Sequence, residues 1–437
     1  MNLKMSKPGV NIFWFRRDLR LHDNLGLSVS LKENKPVLPI FIFDTEILKK
    51  LPNNDARVTF IHDSLMKLKK ELIEKYNSSI ALYHGKPEDI FKKIIKKFNV
   101  SKVYTNHDFE PYAIKRDSKI KELLNSNNIQ FNTFKDHVIF EKNEVVKADG
   151  SPYLVYTPYM KKWKERFKEI KLKSHDSNDN FIKDIDFPSL SLADIGFIKS
   201  LITLKKYSIT PTLVQNYEST RNFPALDATS YLSPYLRFGL LSIREIVTKI
   251  LKYNNETFLN ELIWREFFMQ ILWHFPNTKN ESFKKKYDRI EWRNNENEFN
   301  SWCEGKTGYP LVDAGMRQLN KTGYMHNRVR MVVGSFLCKH LLIDWRWGEA
   351  YFAEKLLDYE MSSNIGNWQW VAGCGVDAAP YFRIFNPTEQ VKKFDKKLEY
   401  INTWVDDYNE LSYPNKIVDH KEARQRCLET YKKALNQ

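Results

Sequence analysis

The sequence predicts an α/β domain built on a parallel sheet, followed by a mostly α-helical domain. Two observations carry that expectation. Short β-rich runs alternate with helical stretches through residue 110, and strand signals become scarce after residue 200, where long amphipathic or wholly apolar helical stretches take over. A chain of 437 residues suits two or three cores, and 42% hydrophobic residues can fill a substantial interior.

Taken in order, the β-rich runs are 10–15, 37–43, 80–84 and 103–105, separated by stretches with helical spacing such as 58–76 and 89–98. Strand and helix alternating at this length form βαβ units around a parallel sheet, so the first domain is expected over 1–132. Residues 133–205 read as a connector. From 161 to 198 the chain turns lysine-rich, then rich in Ser, Asp and Asn, with Pro188, and is expected to cross the surface. Residues 206–437 are expected to form the helical domain, with helical stretches at 258–275, 312–320 and 326–342. No internal repeat is visible, and no long tail follows Ala434, which leaves little room for a signalling extension.

Several function classes are disfavoured early. Cys303, Cys338, Cys374 and Cys427 lack CxxC spacing and no HExxH accompanies them, so neither a metal site nor a disulfide framework is expected. The apolar run 10–15 is too short for a signal peptide core, and the apolar stretch 331–343 carries Lys339 and His340. A soluble, cytoplasmic protein is therefore expected. No GxGxxG follows a strand. Gly305-Lys306-Thr307 looks like the end of a phosphate loop, but Asn300 stands where that loop needs Gly. Lys and Arg outnumber Asp and Glu by 69 to 54, a net charge of +15. That excess favours a polyanionic partner, nucleic acid first, although a basic surface can also serve solubility alone.

Four segments carry candidate chemistry. Thr229-Ser230-Tyr231-Leu232-Ser233-Pro234 sets hydroxyls at a helix start; ordinary N-capping explains this alone, and the same arrangement also suits a bound diphosphate. Glu261, Trp264, Arg265 and Phe268 fall at i, i+3, i+4 and i+7 and share one helical face. An acid, an indole and a guanidinium together suit neither a dry core nor a solvated face, and do suit an unstacked base bound by π-contact. Asn327, Arg328 and Met331 lie close on another helical face, while Arg330 projects elsewhere with Asp358 as its candidate partner. Asn364 and Trp368 share a face with Trp370 roughly opposite. Plain packing accounts for the two indoles; so does one facing a redox centre and the other a substrate.

As a set, Phe13-Trp14-Phe15-Arg16-Arg17-Asp18-Leu19-Arg20, Glu261-Leu262-Ile263-Trp264-Arg265-Glu266-Phe267, Gly308-Tyr309-Pro310 and Trp368-Gln369-Trp370 with Asp377-Ala378-Ala379-Pro380-Tyr381 resemble the photolyase and cryptochrome family, over about residues 10 to 405. The resemblance implies an N-terminal α/β antenna domain and a C-terminal all-α domain that binds FAD, active in its reduced anionic form. Implied flavin contacts are Tyr217, Thr229, Ser230, Tyr231, Leu232, Ser233, Phe258, Glu261, Arg330, Asp358, Tyr359, Glu360 and Asn364, the last facing flavin N5. Trp368, Trp345 and Trp292 match the family's three-tryptophan electron chain, and with Glu261 and Asn364 make up the implied catalytic set.

The resemblance also implies the reaction: light-driven electron transfer from FAD to a cyclobutane pyrimidine dimer flipped out of UV-damaged DNA, single- or double-stranded. Glu261, Trp264, Asn327, Arg328, Met331 and Trp370 match dimer-splitting members, with Arg221 and Arg265 completing the expected substrate contacts. Enzymes for the (6-4) photoproduct place His at 326, 327 and 331, and only His326 is present. The alternative is a signalling cryptochrome, in which position 364 is Asp in plants and Cys in animals. A monomer without membrane contact or obligate protein partner is expected. Segment 110–117 resembles members with a deazaflavin or second-flavin antenna and lacks the Asn-Glu of folate binders at Tyr112 and Ala113, so a folate antenna is disfavoured.

Overall fold

The structure, a computed structural model, describes residues 9–176 and 178–436; the first eight residues of the expected first domain and the last residue of the expected third lie outside the described residues. Strands β1 (Gly9–Phe15), β2 (Val37–Asp44), β3 (Ala81–Gly85), β4 (Asn99–Asn106) and β5 (Gln130–Phe134) form one parallel sheet in the order β3-β2-β1-β4-β5. β1 and β2 are buried along almost their whole length, as central strands of a sheet covered on both faces must be. β5, Gln-Phe-Asn-Thr-Phe, is a half-exposed edge strand, and its mixed polarity gives no continuous apolar run to read. Strand order reverses between β1 and β4, so their carboxyl ends flank the position where such sheets take ligands.

The chain forms two compact units that interleave in sequence. The first comprises the chain up to Glu141, Ile170–Thr203 and Leu232–Lys249; the second comprises Lys142–Glu169, Leu204–Tyr231 and the chain from Ile250. Segment 133–205 is thus divided: Tyr156–Glu169 is a helix of the second unit, and 170–203 belongs to the first. That latter stretch does not simply cross the surface. Phe181, Phe187, Ile195 and Phe197 are buried, and Val37 of β2 bonds the backbone on both sides of Phe181, accepting from Ile182 and donating to Asn180, each at 2.9 Å. Scattered singly among Ser, Asp and Lys, these apolar anchors show neither a period of 2 nor one of 3.6.

Inside the first unit, two fully buried aspartates are balanced by guanidinium groups. Asp136 meets Arg20 Nη2 at 2.7 Å and Arg244 Nη2 at 2.9 Å, while Asp23 meets Arg244 Nε at 3.0 Å. Burial pushes the Asp136 carboxyl up, but Arg20 and Arg244 outweigh it and hold it at about 2.

The second unit is helical. Helices Pro310–Thr322, Asn327–Ser335, Trp345–Lys355 and Met361–Ala372 pack around a core that includes Trp302, Tyr309, Trp345, Trp368, Tyr400 and Tyr431. Two glycines allow close approaches. A Cβ at Gly348 would strike the Trp368 ring, and one at Gly366 would strike Phe268 on helix Glu256–His274. Among the described residues, no helix is long and apolar enough to cross a membrane.

Candidate active site

A cleft in the second unit is walled by three helices and the turn between two of them. Asn327, Arg330, Met331 and Gly334 come from Asn327–Ser335, Phe352 from Trp345–Lys355, Asp358, Tyr359 and Glu360 from the turn that follows, and Asn364, Trp368 and Trp370 from Met361–Ala372. Both indoles, spaced as if on opposite faces, border the same cleft: Trp368 is buried and Trp370 half-buried. Arg330 Nη2 contacts the Asp358 carboxylate oxygens at 3.0 and 3.2 Å, and Arg330 Nε donates to the Met325 carbonyl at 2.8 Å.

The Asn364 amide is oriented by a residue outside every sequence motif. Its Nδ2 donates to Glu349 twice, to the backbone oxygen at 3.0 Å and to Oε1 at 2.9 Å. A backbone carbonyl only accepts, so Nδ2 must face Glu349, and Oδ1 is what the side chain can offer a ligand. Burial raises the Glu349 carboxyl, opposed by the Asn364 bond, by Lys279 and by the Tyr359 hydroxyl.

His326 caps helix Asn327–Ser335, its Nδ1 accepting from Arg328 N at 3.2 Å. Burial, then Arg330, Arg328 and Arg221, lower its pKa to about 4, so it is neutral at pH 7. Asn327 itself is exposed at the first turn of that helix.

Next along the unit is a second cluster. Arg221 forms an ion pair with Glu261 and lies 5.4 Å above the Tyr217 ring, which packs on Phe258 with centroids 4.8 Å apart. Burial raises the pKa of the half-buried Glu261 carboxyl, and Arg221 opposes that shift. Arg328 Nη2 donates to Asn222 Oδ1 at 2.5 Å, and its guanidinium lies 4.5 Å from the Phe394 ring. Its pKa is lowered by burial and by the like charges of Arg221 and Arg383. Arg265 is half-buried on the helix of Glu261.

Tyr324, also missed in the sequence, links Arg330 to the 229–231 segment: its hydroxyl lies 3.2 Å from Thr229 Oγ1, its ring packs on Tyr231 at 5.0 Å, and the Arg330 guanidinium lies 5.8 Å above it. Its place two residues before His326, at a motif's edge, was the available signal. Ser230 accepts at its carbonyl from Ser208 N at 2.9 Å. Leu232 and Ser233 open the six-residue helix Leu232–Arg237; Leu232 is buried in the first unit and Ser233 exposed.

Trp264 is not among the residues that line the cleft of Asn364 and Trp370. Its indole is stacked on Tyr156 and flanked by Phe267 and Phe268. Of the three chain tryptophans, Trp368 packs against Phe352 and Trp302 at 5.0 and 6.1 Å, Trp345 is buried in the same core, and Trp292 is half-buried at its margin beside Tyr431.

The residues present fit a flavin. A ring system with carbonyl acceptors and N–H donors along one edge needs a donor, an acceptor and an amide around an otherwise apolar slot, and Arg330, Asp358 and Asn364 supply these in one cleft.

Comparison with known proteins agrees. Residues 11–177 match the family model described as DNA photolyase, and 258–412 match that of the FAD binding domain of DNA photolyase. A deoxyribodipyrimidine photo-lyase of Alkalihalophilus pseudofirmus is 35% identical, with 96% of this chain and 97% of that one covered. Among solved structures, a bacterial class III photolyase from Agrobacterium tumefaciens superposes with a TM-score of 0.88 at 33% identity, covering 100% of each chain. An archaeal photolyase from Sulfolobus tokodaii, which holds two FAD molecules, gives 0.84 at 34% identity, covering 97% of this chain and 100% of that one. With an FAD-binding helical domain, a parallel-sheet α/β domain and relatives of this similarity along nearly its whole length, the chain belongs to the DNA photolyase family and is a lyase that binds FAD.

Proposed function

We propose that the chain is a deoxyribodipyrimidine photo-lyase that splits cyclobutane pyrimidine dimers in UV-damaged DNA by light-driven electron transfer. The observation that carries this is the cleft in which Asn364, oriented by Glu349, shares walls with Met331, Asn327 and Trp370. FAD in its reduced anionic form supplies one electron on excitation by blue or near-ultraviolet light, with no net redox change over the cycle. Arg330, Asp358, Tyr359, Glu360 and Asn364 would hold it at the cleft, with Tyr217, Thr229, Ser230, Tyr231 and Phe258 as further contacts. Asn364 Oδ1 can accept from a protonated ring nitrogen. Trp292, Trp345 and Trp368 carry electrons inward from the margin of the core.

The residues around Glu261 manage the lesion. Extruding it costs a few kcal/mol, less than for a sound pair because linked bases stack and pair badly. Arg221, Arg265 and Arg328 take flanking phosphates, so affinity falls steeply with salt. Once a phosphate takes Arg221, Glu261 loses the partner that opposes its burial, gains a proton and donates to a base carbonyl, beside Asn327. Trp264 and Trp370 pack on the two rings. A neutral His326 whose Nδ1 already caps a helix does not suit the acid chemistry of (6-4) repair.

Segment 110–117, whose Tyr112 hydroxyl donates to Asp44 at the carboxyl end of β2, is the place for an antenna of deazaflavin or flavin type; the two FAD molecules of the Sulfolobus relative support that choice over folate. The protein works as a cytoplasmic monomer.

The test is a repair assay with cyclobutane and (6-4) oligonucleotides side by side under light. Repair of the first alone is expected, and Glu261→Ala should lower its yield several-fold with FAD retained. Equal repair of both substrates, or an unchanged yield in the variant, removes the specificity or Glu261 respectively.

A further inference from the structure

Tyr156 lies in the segment whose composition reads as a connector, and its ring lies flat on Trp264: centroids 3.6 Å apart, planes 7° apart. Both ends of the residue are tied. Its backbone N–H donates to Asp377 Oδ2 at 3.0 Å, and its phenol donates to the Asn260 carbonyl at 2.8 Å. Asn260 stands one helical turn before Trp264, so the tyrosine ring is fixed to the helix that carries the indole. Phe267 meets both rings edge-on, at 5.9 Å from Tyr156 and 5.6 Å from Trp264. Tyr156 is buried, yet Trp264 is half-exposed. One face of the indole is therefore covered, and only what remains can meet a base.

We infer that Tyr156 is a positioning residue that presets the Trp264 indole for stacking on the lesion. The inference rests on Trp264 being a stacking platform, as proposed above. An indole free to change rotamer would have to be ordered when the lesion binds, and the entropy lost at that moment would weaken binding. A partner ring clamped at two points orders it beforehand. Core packing alone would explain a buried aromatic at 156, but it does not require the effect of Tyr156 to pass through Trp264.

The experiment separates these. Dark binding to an oligothymidine carrying one cyclobutane dimer, and to the undamaged oligomer, is measured by anisotropy on the FAD-loaded protein. Tyr156→Leu is expected to weaken dimer binding roughly tenfold, the scale of one base–aromatic stack, with little change for undamaged DNA. Tyr156→Phe keeps the ring and should stay within about threefold. In a Trp264→Ala background, Tyr156→Leu should add nothing, because the two act through one contact. Normal dimer binding by Tyr156→Leu, an equal loss in the Trp264→Ala background, or a Phe variant as weak as the Leu one overturns the inference. Tyr156→Met is run in parallel, so that one aliphatic variant retaining its flavin absorbance suffices. Trp264→Ala with normal dimer binding overturns the parent proposal, and this inference with it.

Discussion

His326 makes acid stability depend on one residue in a calculable way. In the fold its pKa is about 4, against 6.5 for an ordinary imidazole, because burial and then Arg330, Arg328 and Arg221 disfavour the charged ring. Its folded-state pKa is therefore depressed, and above pH 6.5 both folded and unfolded chains carry it neutral. As pH falls below 6.5 the unfolded chain takes up the proton and the fold does not, so stability declines until about pH 4. From 6.5 to 5 is 1.5 pH units, which at about 1.4 kcal/mol per unit amounts to about 2 kcal/mol lost at pH 5. His326→Asn keeps a side chain that can cap helix Asn327–Ser335 while removing the titration. Urea midpoints at pH 7 and pH 5 give the difference. The variant should lose about 2 kcal/mol less than the parent between these conditions, and the other buried histidines, His137 and His340, cancel because both proteins carry them. Equal losses would show that His326 is not held neutral, and the argument from its charge state would fall with it.

Two further outcomes follow from packing and charge. Gly348→Ala places a methyl group into the Trp368 ring and should displace that indole, slowing photoreduction of bound FAD, read as flavin absorbance under blue light, with a stability cost of about 1–3 kcal/mol. Arg244→Met leaves Asp23 without its guanidinium partner and Asp136 with Arg20 alone; a loss of about 3–5 kcal/mol is expected in denaturant unfolding.

The parts of the fold and site legible in the sequence are those written in local spacing. β1 and β2 are predominantly apolar, and the cleft-lining residues of Asn327–Ser335 and Met361–Ala372 lie within single helices, so the periodicity that buries one face also gathers the site. Contacts made across long separations leave no such trace. Glu349 meets Asn364 fifteen positions away on another helix, Asn222 holds Arg328 from 106 positions away, and Tyr156 reaches Trp264 from a segment disguised by its lysines. Each is an ordinary polar or aromatic residue until a partner is brought to it. The shared cleft of Trp368 and Trp370 was hidden for a related reason: helical phase tells which side of a helix a residue is on, not how far a cavity wraps around it.

The interleaving of the two units bears on how the chain is made. The polypeptide passes from one unit to the other after Glu141, Glu169, Thr203, Tyr231 and Lys249. Synthesis runs from the N-terminus, and the sheet is complete by Phe134, yet Asp23 waits for Arg244, and Asp136 waits for the same residue as its second partner, more than a hundred residues later. Until the ribosome has released that arginine, the nascent sheet holds one carboxylate, Asp23, that cannot enter a dry interior uncompensated, and a second, Asp136, that has Arg20 alone. The N-terminal half should thus remain chaperone-binding and protease-sensitive on arrested ribosomes, and become resistant only when the chain has lengthened past Lys249.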